Sequence, residues 1–499
     1  MRAAAIMTGK QRVTGSTTKP RLAACVALAA LLTGSAALAA PVPQQPAAAA
    51  VSARVKPRLF VLTDIGGDPD DKQSMVRLMT YANQIDIEGL VATRHRDAVN
   101  PHLIRQVVEG YGKVRANLEL HEPGFPTAET LAATISQGLT IDGEASIGAG
   151  KDSPGSDRLI QAVDRDDARP LWVNVWGGPS VLGQALWKVR QTRSKAALAR
   201  FVAKLRVYAI SDQDDSGPWI RREFPDLHYI VTPGVSFHAS TWMGIGGDDF
   251  HGRFGGADRK LVSNEWLNHN VRSKGPLGAE YPNWIYQMEG DTPAFLNLID
   301  NGLSDPDHPD WGGWGGRYEL YTPRKEKWFL APETRPIWTN VQDEVLGRDG
   351  EWHTTNHATI WRWREAFQND FAARMDWTIK PYDKANHPPV VKLETPAYIV
   401  AKPGQRVDLS ALGTTDPDGD TLSYAWFVYE EAGTRGMTSS ASGVKLVVND
   451  ADQPKAWLTV KTDRIVPPGT GTIHVILAVT DQGTPRLTRY KRTIIDVKN

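Results

Sequence analysis

The sequence predicts an α/β protein with a mostly parallel, Rossmann-like sheet covered by helices on both faces, followed by a separate C-terminal β-sandwich. Three observations carry that prediction. Between Arg58 and Trp377, short apolar runs alternate with segments of helical period, as β-α units with parallel pairing require. Lys380 to Pro389 (KPYDKANHPP) is a polar, proline-rich break. Beyond it apolar residues recur with period two between turn clusters, the pattern of a sandwich. A chain of 499 residues is also too long for one ordinary domain.

Taken in order, the first segment is a leader. Met1 to Arg21 holds five basic residues (Arg2, Lys10, Arg12, Lys19, Arg21) and no acid, and an apolar run from Leu22 to Leu38 closes on Ala37-Leu38-Ala39. This is the layout of a bacterial-type secretory signal over residues 1–39. Cleavage near Ala39 and a secreted or periplasmic product are expected. Residues 40–57 read as a Pro/Ala-rich spacer. The one cysteine, Cys25, lies in the leader, so disulfides, thiol catalysis and Cys-zinc sites are excluded from the mature chain. The apolar stretch follows Cys25 rather than preceding it, so no lipid anchor is expected, and no later window reaches the ~18 apolar residues of a membrane span. Formal net charge is +0. Without a basic excess, nucleic acid is not an expected partner.

Residues 58–380 form the predicted α/β domain. Arg58 to Leu62 reads as a buried strand, Ser74 to Ile85 as a helix, Ile87 to Thr93 as a second strand and Leu103 to Val114 as a second helix. Leu171 to Val175 and Leu205 to Ile210 repeat the strand pattern, and Ala358 to Trp377 reads as an amphipathic helix closing the domain. Residues 381–389 are the linker. In 390–499 the strands are expected at Arg406 to Leu409, Leu422 to Tyr429, Ala456 to Thr462, Thr472 to Thr480 and Arg489 to Val497. Asp416-Pro-Asp418-Gly-Asp420 fails as a helix-loop-helix calcium loop, because its sixth position is Thr421 and its twelfth Phe427. It reads as a turn with side-chain-to-backbone hydrogen bonds, or as a looser calcium site.

In such folds ligands bind beyond the carboxyl ends of the strands. Directly after the first strand stands Thr63-Asp64-Ile-Gly66-Gly67-Asp68-Pro69-Asp70-Asp71. Four crowded carboxylates repel one another unless a cation sits among them. Capping of the following helix would use one or two acids, not four. Oxygen-only donors point to Ca²⁺, with Mg²⁺ the alternative, rather than zinc.

All 17 Trp lie after residue 171. Most should be core, but Trp176, Trp219, Trp311 and Trp314 sit in Gly/Asp/Pro loops, where an indole can offer a flat face to a sugar ring. Trp311-Gly-Gly-Trp314-Gly-Gly would allow close backbone approach, with Arg317 and Tyr318 beside it. Arg324, Lys325 and Lys327 read as a solvated stretch, and His95, His238 and His251 as surface or loop residues. No phosphate loop with lysine and no convincing Ser-His constellation is present.

The Asp64–Asp71 segment resembles the first loop of nucleoside hydrolases, where a D-x-D-x-x-x-D-D run binds Ca²⁺ and activates water. Here the middle Asp is Gly66, with Asp68 two residues later. Further segments fit a secreted, nucleoside-hydrolase-like branch described as cellulose-binding, with an Ig-like C-terminal domain. They are Gly150 to Ser156, Trp172 to Gly178, Ser211 to Trp219, Glu289-Gly-Asp291-Thr-Pro and Trp311 to Tyr318. The resemblance implies Asp70 as general base, Asp71 and Asp291 as metal ligands together with Asp64, Asp68 and the carbonyl of Gly177, and Asn100 near the sugar. The leaving-group His of the family falls on Gly290. Asp212, Asp215 and Glu223, after the Leu205 strand, are then candidate acids or sugar ligands, and Glu289 a substrate contact. The expected function is secreted, metal-assisted hydrolysis of N- or O-glycosyl bonds in a carbohydrate or nucleoside-like substrate. The alternative is a non-catalytic binder of cellulose or another polysaccharide.

Overall fold

The computed structural model describes residues 55–234, 237–246, 256–322, 333, 336–434, 446–461 and 471–498. The expected leader (residues 1–39), most of the expected spacer, His251 and the Arg324–Lys327 stretch lie outside them.

One sheet has eight strands: β1 (Arg58–Thr63), β2 (Asp86–Ala92), β3 (Ile135–Gln137), β4 (Leu171–Val175), β5 (Leu205–Ser211), β6 (His228–Thr232), β7 (Tyr318–Tyr321) and β8 (Ile337–Asn340). Their spatial order is β3-β2-β1-β4-β5-β6-β8-β7. Only the β7–β8 pair is antiparallel. Every residue of β1 is buried. Leu59 and Val61 enter one core and Phe60 and Leu62 the other, as strand alternation under two helical layers demands. Helices α1 (Asp70–Thr80), α2 (Pro101–Gly112) and α3 (Arg115–His121) follow β1 and β2. The chain turns to β2 on one side of β1 and to β4 on the other, so a crevice opens beyond the carboxyl ends of β1 and β4.

Helix α1 starts at Asp70, four residues before the sequence period suggests, and no side chain caps it. The acids are therefore not spent on capping. Asp70 and Asp71 occupy its first turn, where the helix dipole favours negative charge.

The C-terminal strands are β9 (Tyr398–Ala401), β10 (Arg406–Ser410), β11 (Ser423–Val428), β12 (Lys455–Thr459), β13 (Gly471–Thr480) and β14 (Thr488–Val497). They form the sheets β9-β14-β13-β11 and β10-β12, which share a core of Val407, Leu458, Val475, Leu477 and Trp426. This layered β region packs directly on the α/β domain. Arg492 donates to the carbonyls of Leu303 (3.0 Å), Trp311 (3.0 Å) and Gly312 (3.2 Å). Tyr429 donates to Asp343 (2.7 Å) and Arg489 to Asp370 (2.6 Å).

That contact corrects the expected amphipathic helix at Ala358–Trp377. It is two helices, Ala358–Trp361 and Arg364–Asp376, and the second is buried nearly all round. Its polar residues are paired internally: Arg374 with Glu122 (2.9 Å) and Asp370 (3.3 Å). No helix among the described residues is long and apolar enough to cross a membrane.

Candidate active site

Thr63 ends β1 and its hydroxyl donates to Asp71, while the same oxygen accepts from the Ile65 N–H at 3.2 Å. Asn100, at the start of α2, donates to the Ile65 carbonyl at 3.1 Å. The loop is thereby held at both ends. Gly66 has φ +109°, and a Cβ there would lie 2.5 Å from Asn100 Nδ2. An aspartate at 66 is thus strained by the backbone and opposed by Asn100, which disfavours the hydrolase pattern at this position. Asn100 supports the loop rather than reaching into the crevice.

Asp70 accepts from Gln287 Nε2 at 3.4 Å. Asp291 arrives from a distant loop, and oxygens of Asp70, Asp71 and Asp291 lie within 4.8 Å of one another. Asp291 Oδ2 is buried without a hydrogen-bond partner. Burial, followed by repulsion from Asp68, pushes the Asp70 carboxyl up to about 6. Burial first and the neighbouring carboxylates second push Asp71 and Asp291 well above the usual range. Three oxygen donors with an orphaned buried lone pair fit a hard divalent cation, Ca²⁺ or Mg²⁺, and offer nothing to a soft metal.

Asp64 borders this group. Its field raises all three carboxyls, His95 Nδ1 lies 3.3 Å from its Oδ2, and a Cβ on Gly177 would stand 2.7 Å from its Cγ. Asp68 is exposed and outside the trio. A polar cleft of about 150 Å³ adjoins Asp64 and is lined also by Arg94, His95, Gly178, Gln213 and Asp214.

Asp214 was missed by sequence reasoning, which favoured its neighbours. Its Oδ2 accepts from the Gly143 N–H at 3.1 Å and its Oδ1 from Ser216 Oγ at 2.5 Å, and burial raises its carboxyl. Asp212 is instead bidentate with Arg221 (2.7 and 2.9 Å). Asp215 accepts from the Glu144 N–H at 2.7 Å, and Glu223 pairs with Arg190 at 2.8 Å. None of these three lines the cleft. His95, read as a plain loop residue, was also missed.

The four loop tryptophans do not offer sugar platforms. Trp176 and Trp314 are 1% and 0% exposed. Trp219 packs edge-on to Phe224 beneath Arg190. Trp311 stacks on His308 at 3.9 Å and meets His474 edge-on at 5.3 Å, so it belongs to the contact with the C-terminal region. Arg317 is buried against Asp343 at 2.8 Å. Glu289 is fully buried, ion-paired with Arg77, and accepts from Arg77 Nη2 (3.1 Å), Tyr281 (2.7 Å) and Thr292 (2.8 Å). It shapes the loop that carries Asp291, with φ +49°, and does not face a ligand.

Exposed aromatic surface lies elsewhere. A cavity of about 840 Å³ is lined by Trp266, Trp284, Tyr286, Arg259, Lys260 and His269, among others. Tyr286 immediately precedes Gln287, the Asp70 partner. The available signal was the aromatic run in Tyr281-Pro-Asn-Trp284-Ile-Tyr286, a Pro/Asn loop just ahead of Asp291.

A Rossmann-like sheet with an acid trio at its switch point defines a nucleoside hydrolase-like protein. The chain belongs to the Sde182 family: the family model "Cellulose-binding Sde182, nucleoside hydrolase-like domain" matches residues 58–318. A second model, "Cellulose-binding protein Sde0182, C-terminal domain", matches residues 406–497. A similar solved structure is a nucleoside hydrolase-related hypothetical protein from Saccharophagus degradans, associated with carbohydrate metabolism. It is 34% identical, with TM-score 0.73, and the match covers 89% of this chain and 100% of that one. A PKD domain from the KIAA 1837 protein is 15% identical over 22% of this chain and 87% of its own, with TM-score 0.15. The type III effector XopQ with adenosine diphosphate ribose is 9% identical over 66% and 95%, with TM-score 0.32. No curated protein matches.

Proposed function

We propose that this protein is a secreted hydrolase of glycosyl bonds that acts on a carbohydrate-type substrate. The observation that supports it most is the convergence of Asp70, Asp71 and Asp291 on one point, with one buried oxygen left unpartnered. Asp71 and Asp291 would hold Ca²⁺, or alternatively Mg²⁺, beside Asp70, with Asp64 bordering them and the Gly177 carbonyl as the further donor the resemblance implies. Such a cation supplies positive charge and Lewis acidity toward sugar hydroxyls.

Asp70 is the general base. It takes a proton from water as the water oxygen bonds to the anomeric carbon and the glycosyl bond breaks. General-base help of this kind is worth roughly 10²–10⁴-fold. Gly290 stands where nucleoside hydrolases hold their acid, so the leaving group needs another donor. Asp214 replaces Asp212 and Asp215 in that role, because it lines the cleft beside Asp64 and burial favours its protonated form. It gives its proton to the departing oxygen or nitrogen, and water restores it.

Asp70→Asn should abolish release of reducing sugar in a Ca²⁺-supplemented screen of nucleosides and glycans, while leaving sugar binding largely intact. Retained turnover refutes Asp70 as base.

The second reading is non-catalytic cellulose binding. The family description and the aromatic cavity favour it, since indole and phenol faces suit pyranose rings. Sedimentation with insoluble cellulose tests it. The double variant Trp266→Ala/Trp284→Ala should stay in the supernatant where the unaltered protein sediments.

A further inference from the structure

The polar cleft beside Asp64 has about 150 Å³ of space. That size admits one ring of a sugar or of a base, so the chemistry of its wall decides between them. A base leaving a nucleoside presents two flat faces and is held by stacking on aromatic side chains. Among the described residues no Phe, Tyr, Trp or aliphatic side chain lines the cleft. The one ring there is the His95 imidazole, whose Nδ1 lies 3.3 Å from Asp64 Oδ2. Gly67 crowds it, since a Cβ at Gly67 would lie 2.4 Å from that nitrogen.

The wall instead carries hydrogen-bonding groups with unspent capacity. Thr93 is 3% exposed, its N–H donates to the Thr63 carbonyl (2.7 Å), and its Oγ1 is buried without a partner. Arg94 donates from Nη1 to Asp142, while its Nε is buried without a partner. A short hairpin pairs Arg94-His95 with Ala98-Val99 and fixes this backbone at the cleft. Acceptors stand beside these donors. Asp214 comes close because residue 178 is glycine, where a Cβ would lie 2.1 Å from its Oδ2. Gln213 donates from Nε2 to the Trp176 carbonyl (2.8 Å), which leaves Oε1 for a ligand. A buried donor without a partner is unfavourable, and two on one wall call for a ligand that bonds both. Sugar hydroxyls do so, because each donates once and accepts twice.

We propose, on the reading of Asp70 as base, that this cleft holds the leaving group and that the leaving group is itself a sugar. The bond cleaved is then an O-glycosyl bond between two sugars rather than the N-glycosyl bond of a nucleoside. The water oxygen bonds to the anomeric carbon, and the bond from that carbon to the bridging oxygen breaks with its electron pair left on the oxygen. Asp214 gives that oxygen a proton while Asp70 takes one from the water. Thr93 and Arg94 donate to hydroxyls of the departing ring, and Asp142 and Gln213 accept from them, which aims the bridging oxygen at Asp214.

The test sets two substrate classes against the full chain with Ca²⁺ present: di- and trisaccharides of glucose, xylose, mannose, galactose and arabinose, and the nucleosides adenosine, inosine and uridine. The unaltered protein should release sugar from a member of the first class and no free base from the second. Thr93→Val keeps the shape and removes an unpartnered hydroxyl, so its melting temperature should not fall. Its kcat/KM on the cleaved oligosaccharide should nonetheless drop about tenfold, the effect of one lost hydrogen bond. Arg94→Lys, which keeps a charge for Asp142 but has no Nε–H, should act in the same direction. Cleavage of a nucleoside with equal or higher kcat/KM, or a Thr93→Val enzyme as fast as the unaltered one on the oligosaccharide, overturns the sugar leaving group and leaves the reading of Asp70 standing. Cleavage of neither class overturns both.

Discussion

Replacing Glu289 with Gln separates its structural role from the substrate contact that its position beside Asp291 suggests. Arg77 and Glu289 are both fully buried, with Nε–Oε2 at 2.5 Å and Nη2–Oε1 at 3.1 Å. Tyr281 and Thr292 donate to the same carboxylate, and Arg77 also lies over the Phe371 ring at 4.1 Å. Glu289→Gln removes the charge and points an amide N–H₂ at existing donors, leaving Arg77 uncompensated. Breaking one side of a buried pair costs about 3–5 kcal/mol. For an α/β domain of this length the unfolding entropy is about 0.7 kcal/mol/K, so the transition should fall by about 4–7 °C. Differential scanning fluorimetry with urea unfolding reads both. Arg77→Met/Glu289→Met removes both charges and should lie within about 2 kcal/mol of the unaltered protein. A Glu289→Gln variant that is no less stable, yet binds sugar poorly, would refute the structural assignment and return Glu289 to the ligand.

Three further outcomes follow from the same geometry. Gly66→Asp, which restores the hydrolase pattern, should not strengthen Ca²⁺ binding in calorimetry; it should destabilise by roughly 1–3 kcal/mol, because φ +109° and Asn100 oppose it. Trp314→Ala should cost about 3–5 kcal/mol in urea unfolding with no change in glycan affinity per folded molecule, as befits a core indole. Burial lowers His228 to about 4 and His474 to about 3. The unfolded chain then takes up protons that the native one refuses, so stability is complete above about pH 6.5 and falls below it, by up to ~1.4 kcal/mol per pH unit for each histidine. Urea midpoints between pH 7 and pH 4.5 measure this, and His474→Gln should flatten the slope.

The fold was legible because periodicity survives in the sequence. Leu59 to Leu62 alternates between two cores, and the change to period two beyond KPYDKANHPP marks a change of architecture. Helix α1 shows where this fails: its first turn is Asp70-Asp71-Lys72-Gln73, without an apolar residue, so the pattern becomes visible only at Ser74. The Arg364–Asp376 helix fails for the opposite reason. Its charged residues look like a solvated face, but their partners Glu122 and Arg489 come from distant segments that no local window contains.

The acid cluster and the tryptophans separate two kinds of sequence signal. Asp64, Asp70 and Asp71 were readable because like charges crowded within eight residues oppose one another in any conformation, so some compensating partner is demanded whatever the fold. Glycines beside a tryptophan demand only close approach, without saying by what. In Trp311-Gly-Gly-Trp314-Gly-Gly the approaching groups are the protein's own: a Cβ at Gly312 would meet the Tyr429 hydroxyl at 2.5 Å, at Gly313 Ser304 Oγ at 2.0 Å, and at Gly315 the Pro293 carbonyl at 2.5 Å. Those glycines let the C-terminal region and neighbouring loops close over the indoles.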